Sequence, residues 1–375
     1  MSAETSNTHA ALRPLASLAY ALGKPDNGAV IKHEFVDFKV DEELAFEPTG
    51  SGEHVFVRVR KTDSSTIDVA KRLAEVTAAK LSDVGFSGMK DRRGETSQWF
   101  SVKLAQESEH RLADLEDDKI CILSTARNSR KLKIGSHARN HFRLRLRNCE
   151  GEPADFERRL QSISTQGVPN YFGSQRFGAQ MSNLKQVSTL MQSVLAGGSA
   201  DARKLPRFKR GLLFSAARAY LFNQVLSERI RADSWARYLE GDVLSLDGSG
   251  RCFVLRPDEE WGGELQERLQ CMDIHPTGPL PGLIGAKDKY VSIAQAADIE
   301  EVVLKEFDYL VQGLKAFGLH YARRPLRFAV TDMHWHWEPS CVESHTQNDL
   351  CLEFILPRGA YATSLLREIC QLHES

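Results

Sequence analysis

The sequence lacks the features of membrane and secreted proteins. The apolar stretch at residues 10–22 is interrupted by Arg13 and Pro14, so it is neither a signal peptide nor a membrane span. No later segment is long enough to cross a bilayer. The seven cysteines are scattered, without the close pairs typical of zinc or redox sites. This pattern indicates a reducing compartment, and we expect a cytoplasmic protein with no membrane or metal partner.

An excess of charge of either sign is also absent. The chain has 49 Lys and Arg residues against 50 Asp and Glu residues, for a formal net charge of −1. This balance favours neither a nucleic acid nor a membrane as partner, so any basic surface must be local. At 375 residues, with no internal repeat and 42% hydrophobic residues, the chain is expected to form two or three domains with true cores.

One long segment contains no acidic residue. Between Lys119 and Asn148 there is no Asp or Glu. Residues 141–147 alternate apolar positions with Arg143, Arg145 and Arg147, which predicts a strand with guanidinium groups on one face. Such a row can follow phosphates, or it is an ordinary solvated face. The missing acids favour an anionic partner.

The most informative stretch runs over residues 85–102. A strand is predicted to run into Gly88, Gly94 permits a tight reversal, and residues 98–102 predict a returning strand. Asp91 lies at the tip between Lys90 and Arg92-Arg93. Neighbouring cations favour the ionised carboxylate that a nucleophilic Asp needs. By pattern alone, a solvated hairpin tip is the simpler interpretation.

Three further stretches combine functional and structural interpretations. The aromatic and glycine residues at 170–178 are compatible with an RNA-contacting surface, although a packed loop is simpler. A basic patch at residues 203–210 precedes a helix predicted from Leu212 to about Arg231, whose apolar side fits a core. His334 and His336 alternate with tryptophans, and without clustered Cys they predict a polar strand face rather than a metal site.

The remaining patterns predict a sheet covered by helices. Residues 54–60 place Val55, Val57 and Val59 on one face, which predicts a strand with one dry side. Residues 64–66 offer an N-cap for a helix that ends near Leu81. A second long helical stretch is predicted at residues 293–318. Strand, helix and strand in this order indicate a sheet with at least one helix on it.

Taken together, several stretches resemble the TruD family, the tRNA pseudouridine-13 synthases. They occur in the family's order from about Gly23 to the C-terminus, and this many motifs in register outweigh the simpler interpretation of Asp91. The stretches are Gly88-Met89-Lys90-Asp91 with Gln98-Trp99, Lys131-Leu132-Lys133-Ile134-Gly135, Pro169-Asn170-Tyr171-Phe172-Gly173-Ser174-Gln175-Arg176-Phe177-Gly178, Ser215-Ala216-Ala217-Arg218 with Leu221-Phe222-Asn223-Gln224, Gly241-Asp242, and Leu356-Pro357-Arg358-Gly359-Ala360-Tyr361-Ala362-Thr363-Ser364.

The resemblance implies an α+β fold. A pseudouridine-synthase catalytic domain, with a mixed, largely antiparallel sheet and flanking helices, would be interrupted by an inserted α/β domain specific to this family. The expected division is a disordered or loosely packed N-terminus at residues 1–22, a discontinuous catalytic domain at 23–167 and 329–375, and an inserted TRUD domain at 168–328.

The resemblance also implies a function. The family isomerises uridine 13 in the D arm of tRNA to pseudouridine, without cofactor or metal. We therefore expect tRNA as the partner of this chain and a monomer as its state. A non-catalytic protein that binds or remodels tRNA is the first alternative. A hydrolase with Asp91 as general base is the second, and it would need another catalytic carboxylate or a metal cluster.

Candidate site residues follow from the matching positions. Asp91 lies where the family has its nucleophile, and Lys32 matches a lysine expected to pair with it. Asn140 and Phe142 match an Asn-x-Phe motif that lines the uridine pocket. Phe38 matches an aromatic residue that contacts the target base. Tyr361 takes a position that is Phe or Tyr in relatives. The chain departs from the family pattern at Phe35-Val36-Asp37-Phe38, where relatives commonly read Pro-Glu-Asp-Phe.

The chemistry of pseudouridine formation requires an everted base. Flipping a uridine out of folded RNA costs a few kcal/mol, and stacking on aromatic rings returns roughly 1–3 kcal/mol per base. Ionised Asp91 would then attack C1′ or remove the C2′ proton to give a glycal. The sequence alone does not choose between these two routes.

Overall fold

The chain folds into two compact units in the computed structural model, which describes residues 11–197, 205–255, 259–285, 290–339 and 348–374. The first, here called the helical unit, comprises Met1–Lys24, Arg159–Ala329 and Ala360–Glu368. The second, the sheet unit, comprises Pro25–Arg158, Val330–Gly359 and Ile369–Ser375. The domain boundaries expected from the sequence stay a prediction. These units divide at residues 24/25, 158/159 and 329/330 and assign residues 360–368 to the helical unit.

Both units contain strands and helices. The strands are β1 (Gly28–Ile31), β2 (Phe38–Leu44), β3 (His54–Thr62), β4 (Gly85–Phe86), β5 (Glu95–Lys103), β6 (Ile120–Asn128), β7 (His137–Glu150), β8 (Val168–Pro169), β9 (Leu244–Leu246), β10 (Cys252–Phe253), β11 (Ile274–Leu280), β12 (Ala322–Pro325), β13 (Arg327–Phe328), β14 (Thr331–Pro339), β15 (Asn348–Pro357) and β16 (Gln371–Glu374). The α-helices are α1 (Thr66–Thr77), α2 (Pro153–Gln166), α3 (Ser182–Leu195), α4 (Arg207–Arg231), α5 (Gly263–Gln270), α6 (Ala294–Glu306), α7 (Asp308–Ala316) and α8 (Ala362–Ile369).

One ten-stranded sheet forms the sheet unit. Its main path runs β14-β15-β7-β2-β5-β3-β6, while β1 pairs with β7 and β16, and β4 pairs with β5. The pairs β2–β5 and β1–β16 are parallel and the others are antiparallel. This mixed, largely antiparallel sheet with helices confirms the α+β fold class.

The core of the sheet unit lies between strand β3 and helix α1. Helix α1 begins after Ser65, whose hydroxyl accepts a hydrogen bond from the Asp68 amide, and its apolar side buries Val69 and Leu73 against Val57 and Phe100. Burying each such side chain contributes roughly 1.5–3 kcal/mol. The predicted dry face of β3 is confirmed.

The opposite face of β3 is not uniformly wet. Phe56 is also fully buried, because its ring packs against Phe46 and Trp99. Alternation along a strand cannot register this burial, since the covering rings come from other parts of the chain.

Helix α4 forms the centre of the helical unit. It extends the helix predicted from Leu212 by five residues at its start, to Arg207. Tyr220 and Leu221 pack among residues of α3 and α7. The helical stretch predicted at residues 293–318 is two helices, because the backbone leaves helical dihedral angles at the buried Phe307 between α6 and α7.

The N-terminal residues 11–22 pack more closely than the expected disordered or loose terminus. Leu18 is buried in a core cluster with Tyr171 and Leu226. The Ala19 amide donates to the Ser227 hydroxyl at 2.9 Å, and the Tyr171 hydroxyl donates to the Ala19 carbonyl at 3.0 Å. Apolar residues spaced along this stretch therefore serve as core contacts. Residues 1–10 lie outside the described part of the chain.

Candidate active site

The stretch 85–103 forms the predicted hairpin, with Asp91 in the turn between β4 and β5. Phe86 pairs with Phe100 in antiparallel register. Gly94 closes the turn at φ +153°, and a Cβ at this position would lie 2.6 Å from the Phe38 carbonyl oxygen. Only glycine fits such a close approach, so the end of β2 fixes the path of the turn.

Asp91 lies within reach of the lysine and the ring that the sequence assigned to it. The Lys32 ammonium is 3.4 Å from the Asp91 carboxylate and 4.2 Å from the centroid of the Phe38 ring. The Lys32 side chain is 16% exposed and that of Asp91 is 52% exposed, so the carboxylate is accessible from solvent. The half-buried ammonium therefore offers Asp91 an ionic partner on the side of the Phe38 ring.

The backbone at Lys32 is strained. Its φ is +56°, in the left-handed region that non-glycine residues seldom occupy. Such conformations cost of order 1–3 kcal/mol and concentrate at functional sites. Here the strain follows β1 directly, at the point where the chain turns its lysine toward Asp91.

A chain of hydrogen bonds fastens the turn from beneath. The Lys90 amide donates to the Thr66 hydroxyl at 2.9 Å, and that hydroxyl donates to the Gln98 side-chain oxygen at 2.8 Å. The Gln98 side-chain amide donates to the Gly88 carbonyl at 3.1 Å. The first residue of α1 and a residue of β5 thus hold the turn at both sides of Met89.

Lys61 fixes the backbone of Asp91 itself. Its buried ammonium, on β3, donates to the carbonyls of Asp91 at 2.8 Å and Ser64 at 2.6 Å. Burial lowers the pKa of Lys61 to about 8, and the negative charge of Asp91 opposes part of that shift. The sequence reasoning missed this residue.

A buried ion pair also lies beside the turn. Lys90 lies 2.7 Å from Glu42, whose other oxygen accepts from the Trp99 amide at 3.1 Å. His137 is close to the pair. Burial lowers the pKa of His137, and the charge of Lys90 lowers it further. Lys90, which the sequence suggested as a flanking cation for Asp91, therefore has Glu42 as its ionic partner.

Strand β7 contributes the Asn-x-Phe motif. Phe142 lies opposite Val40 in the sheet, and its ring meets Phe38 edge-on at 6.3 Å and stacks on Phe354 at 5.2 Å. The Asn140 side-chain oxygen is buried without a hydrogen-bond partner among the described residues. The structure thus joins Asp91 to Lys32, Lys32 to Phe38, and Phe38 to Phe142, which lies two residues from Asn140.

Phe142 also lines an open cavity of about 820 Å³ in the sheet unit. Asp91, Lys32 and Phe38 do not line it. Its walls carry six carboxylates, namely Asp41, Glu42, Glu43, Glu47, Asp332 and Glu353, and two arginines, Arg58 and Arg143, which both pair with Asp41. This excess of carboxylates makes the cavity a poor site for phosphate groups.

Tyr361 belongs to the helical unit. Its hydroxyl accepts from the Arg176 guanidinium at 2.9 Å, and its ring lies 6.3 Å from that of Phe172. The Arg324 guanidinium lies over the Phe172 ring, 4.0 Å from its centroid. Tyr361 and the motif at 170–178 therefore belong to one cluster, and the role predicted for Tyr361 stays a prediction.

The arginines of β7 do not form an unbalanced basic face. Arg143 pairs with Asp41 at 2.9 Å, Arg145 with Asp349 at 2.8 Å, and Arg147 bonds both oxygens of Asp37. Hydrogen bonding to these carboxylates raises the pKa values of Arg145 and Arg147. The segment itself has no acids, but residues from elsewhere in the fold supply them, so this face by itself does not indicate an anionic partner.

The predicted His-x-His strand brings one potential metal group together. His336, Glu338 and Cys351 offer ligand atoms within 4.8 Å of one another, while His334 lies elsewhere on the face. Burial raises the pKa of Cys351 to about 11, so the thiol stays protonated and is a poor ligand. Glu338 is also engaged by Arg145 at 3.2 Å.

The basic patch at 203–210 is only partly described. Arg207, Lys209 and Arg210 lie in the first turn of α4, beside the exposed Phe208. Arg203 and Lys204 lie outside the described residues. In the described chain, every helix is too short or too polar to span a bilayer.

Comparison with known proteins shows which family this chain resembles. The family described as tRNA pseudouridine synthase D (TruD) matches residues 15–202 and 199–369. The tRNA pseudouridine synthase D of Nitrosococcus oceani is 41% identical over 359 residues, covering 96% of this chain and 95% of the relative. That of Methylococcus capsulatus is 40% identical over 336 residues, covering 89% of each chain.

A solved structure agrees with the fold. The putative tRNA pseudouridine synthase D (TruD) from Methanosarcina mazei superposes with a TM-score of 0.72 at 20% identity, covering 93% of this chain and 95% of that one. The architecture is thus that of a TruD protein. The sequence matches cover most of the chain, and they show that the chain belongs to the tRNA pseudouridine synthase D family.

Proposed function

We propose that this chain converts uridine 13 in the D arm of tRNA to pseudouridine, with Asp91 as the attacking group and without a cofactor. The relatives are named tRNA pseudouridine synthase D, which supports pseudouridine formation in tRNA. The single observation that carries the assignment of Asp91 is its ionic contact with Lys32 beside the Phe38 ring. The accessible carboxylate and the half-buried lysine match what attack on a ribose carbon needs.

The reaction is an isomerisation, so every atom of the uridine is retained. In one route the Asp91 oxygen bonds C1′ as the N1–C1′ bond breaks, and uracil leaves with the electron pair. In the other, Asp91 takes the C2′ proton as uracil leaves and returns it later. The base then turns and C5 bonds C1′, as the bond between Asp91 and C1′ breaks in the first route or as Asp91 returns the proton to C2′ in the second. The C5 proton is then lost while N1 gains one.

The surrounding residues divide the remaining tasks. Lys32 compensates the charge of Asp91, and Phe38 and Phe142 supply ring surface for the base. The Asn140 oxygen offers an acceptor for the uracil N3–H. Lys61, Thr66 and Gln98 hold the turn so that the carboxylate does not have to be ordered during reaction.

The proposal is tested by Asp91→Asn. The protein is incubated with unmodified tRNA without added cofactor, and pseudouridine is mapped chemically at each position. We expect no pseudouridine with the variant, while its tRNA affinity and thermal unfolding stay near those of the parent protein. The matched control, Asp83→Asn, changes an exposed carboxylate just before β4 and should leave turnover unchanged.

Three results would contradict the proposal in whole or in part. Substantial turnover by Asp91→Asn would remove this carboxylate from the chemistry. A parent protein that binds tRNA but forms no pseudouridine would favour the alternative of a non-catalytic tRNA-binding or remodelling protein. Pseudouridine at another position of the tRNA would refute uridine 13 alone.

A further inference from the structure

An exposed isoleucine stands beside the turn that carries Asp91. Ile134 lies in the loop between β6 and β7 and is 82% exposed. The Gly135 amide donates to the Ser87 carbonyl at 2.6 Å, four residues before Asp91. Met89, within the turn, is 62% exposed. Two large apolar side chains therefore face solvent next to the proposed nucleophile.

The loop that presents Ile134 is held firmly. Leu132 is buried, and its amide donates to the Ser101 hydroxyl at 2.9 Å. The Leu132 carbonyl approaches Gly85 so closely that a Cβ there would lie 2.3 Å from it. With Gly135 fastened to Ser87, Ile134 projects from a loop anchored on both sides. A fixed, solvated β-branched side chain gains nothing for the fold and is suited to a contact with a partner.

The neighbours of Ile134 indicate which partner. Lys133, directly before Ile134, is exposed, and the exposed Arg358 donates to the carbonyl of Gly135, directly after it. An apolar tip between these two cations fits a nucleic acid, since the cations meet phosphates and the apolar group meets bases. A protein hydrophobic surface would not require the cations.

We infer that Ile134 is a wedge that enters the base stack of the substrate RNA and occupies the space left by the everted uridine. This inference rests on the proposed function, because an enzyme that acts on a flipped base must keep the vacated stack from closing. Apolar side chains inserted between base steps do this in other nucleic-acid complexes. The anchored loop holds the wedge beside the turn that carries Asp91.

The test separates base flipping from chemistry. The substrate is tRNA with 2-aminopurine at the target position, which becomes brighter when it leaves the stack. Ile134→Ala should lower the amplitude of the fluorescence rise at saturating protein, and should slow single-turnover pseudouridine formation on normal tRNA about tenfold, or about 1.4 kcal/mol. Ile134→Leu should restore both. Val302→Ala, which shortens an exposed apolar residue of α6, should change neither.

Each outcome decides the matter. Parent-like amplitude and rate with Ile134→Ala would overturn the wedge, even if Asp91→Asn abolishes turnover. A loss of tRNA affinity at unchanged amplitude would show a surface contact and would overturn it too. If Asp91→Asn retains turnover, the assignment of Asp91 fails, yet the fluorescence amplitude still decides the role of Ile134, because it requires no chemistry.

Discussion

Replacing Lys61 with methionine should separate the positioning of Asp91 from overall stability. The variant removes two hydrogen bonds from a buried ammonium, one of them to the Asp91 carbonyl. A hydrogen bond from a charged group is worth about 1.5–3 kcal/mol. If the hydrogen bond to the Asp91 carbonyl contributes this much to transition-state stabilisation, its removal should lower kcat about 10- to 150-fold.

The stability of the same variant should change much less than its activity. Methionine leaves two carbonyls without this donor, but it also removes a charge whose burial is unfavourable. These two effects oppose each other. The measurements are single-turnover pseudouridine formation, tRNA affinity and urea unfolding, with Lys103→Met as the control because that lysine is exposed on the same sheet.

The pH dependence of kcat distinguishes a positioning role of Lys61 from a purely structural role, which would leave it unchanged. Lys61 has a pKa of about 8 in the folded chain against 10.5 ordinarily, so between these values the unfolded chain binds more protons. Relative to Lys61→Met, the parent protein should therefore gain stability as pH rises through this window, by up to about 1.4 kcal/mol per unit. Its kcat should fall over the same range, because a neutral amine holds the carbonyl less strongly.

The charges around Lys61 define the profile. Asp91 and Asp68 favour its protonated form, whereas Lys90 disfavours it. A Lys61→Met enzyme with parent-like kcat at pH 7 would refute the positioning role. So would an alkaline decline in kcat that persists unchanged in the variant.

Two further predictions concern other charges of the molecule. Arg229 and Asp242 form a buried pair at 2.7 Å, so Arg229→Met should lower the free energy of unfolding by about 3–5 kcal/mol in urea, whereas Arg231→Met at an exposed pair should cost less than about 1 kcal/mol. Neutralising the exposed cations at 207–210 should flatten the salt dependence of tRNA affinity by about one unit of slope per lost phosphate contact, whereas Arg143→Gln should change it little because that side chain is paired. Equal slopes for the two would refute the pairing argument.

Sequence motifs pointed to the proposed nucleophile but not to the residues that hold it in place. Asp91 was found because its neighbours in the chain match a family pattern, and Lys32 and Phe38 were found in the same way. In the sequence, Lys61 looks like one more residue of an amphipathic strand. Its contact with the Asp91 carbonyl forms only because β3 lies under the turn. Glu42 likewise looks like part of an acidic surface segment until the sheet buries it against Lys90. Burial of Phe56 on the outer face of β3 had no local signal either.

The sequence by itself determined the family, the α+β fold class, the hairpin around Asp91 and the amphipathic elements, because these depend on short-range spacing and on motifs read along the chain. Tertiary structure decided which charges meet. Arg143, Arg145 and Arg147 lie in a segment without acids, and yet each contacts a carboxylate from a distant part of the chain, since folding brings together residues up to about two hundred positions apart. Electrostatic balance is a property of three-dimensional neighbours, and no one-dimensional pattern contains it.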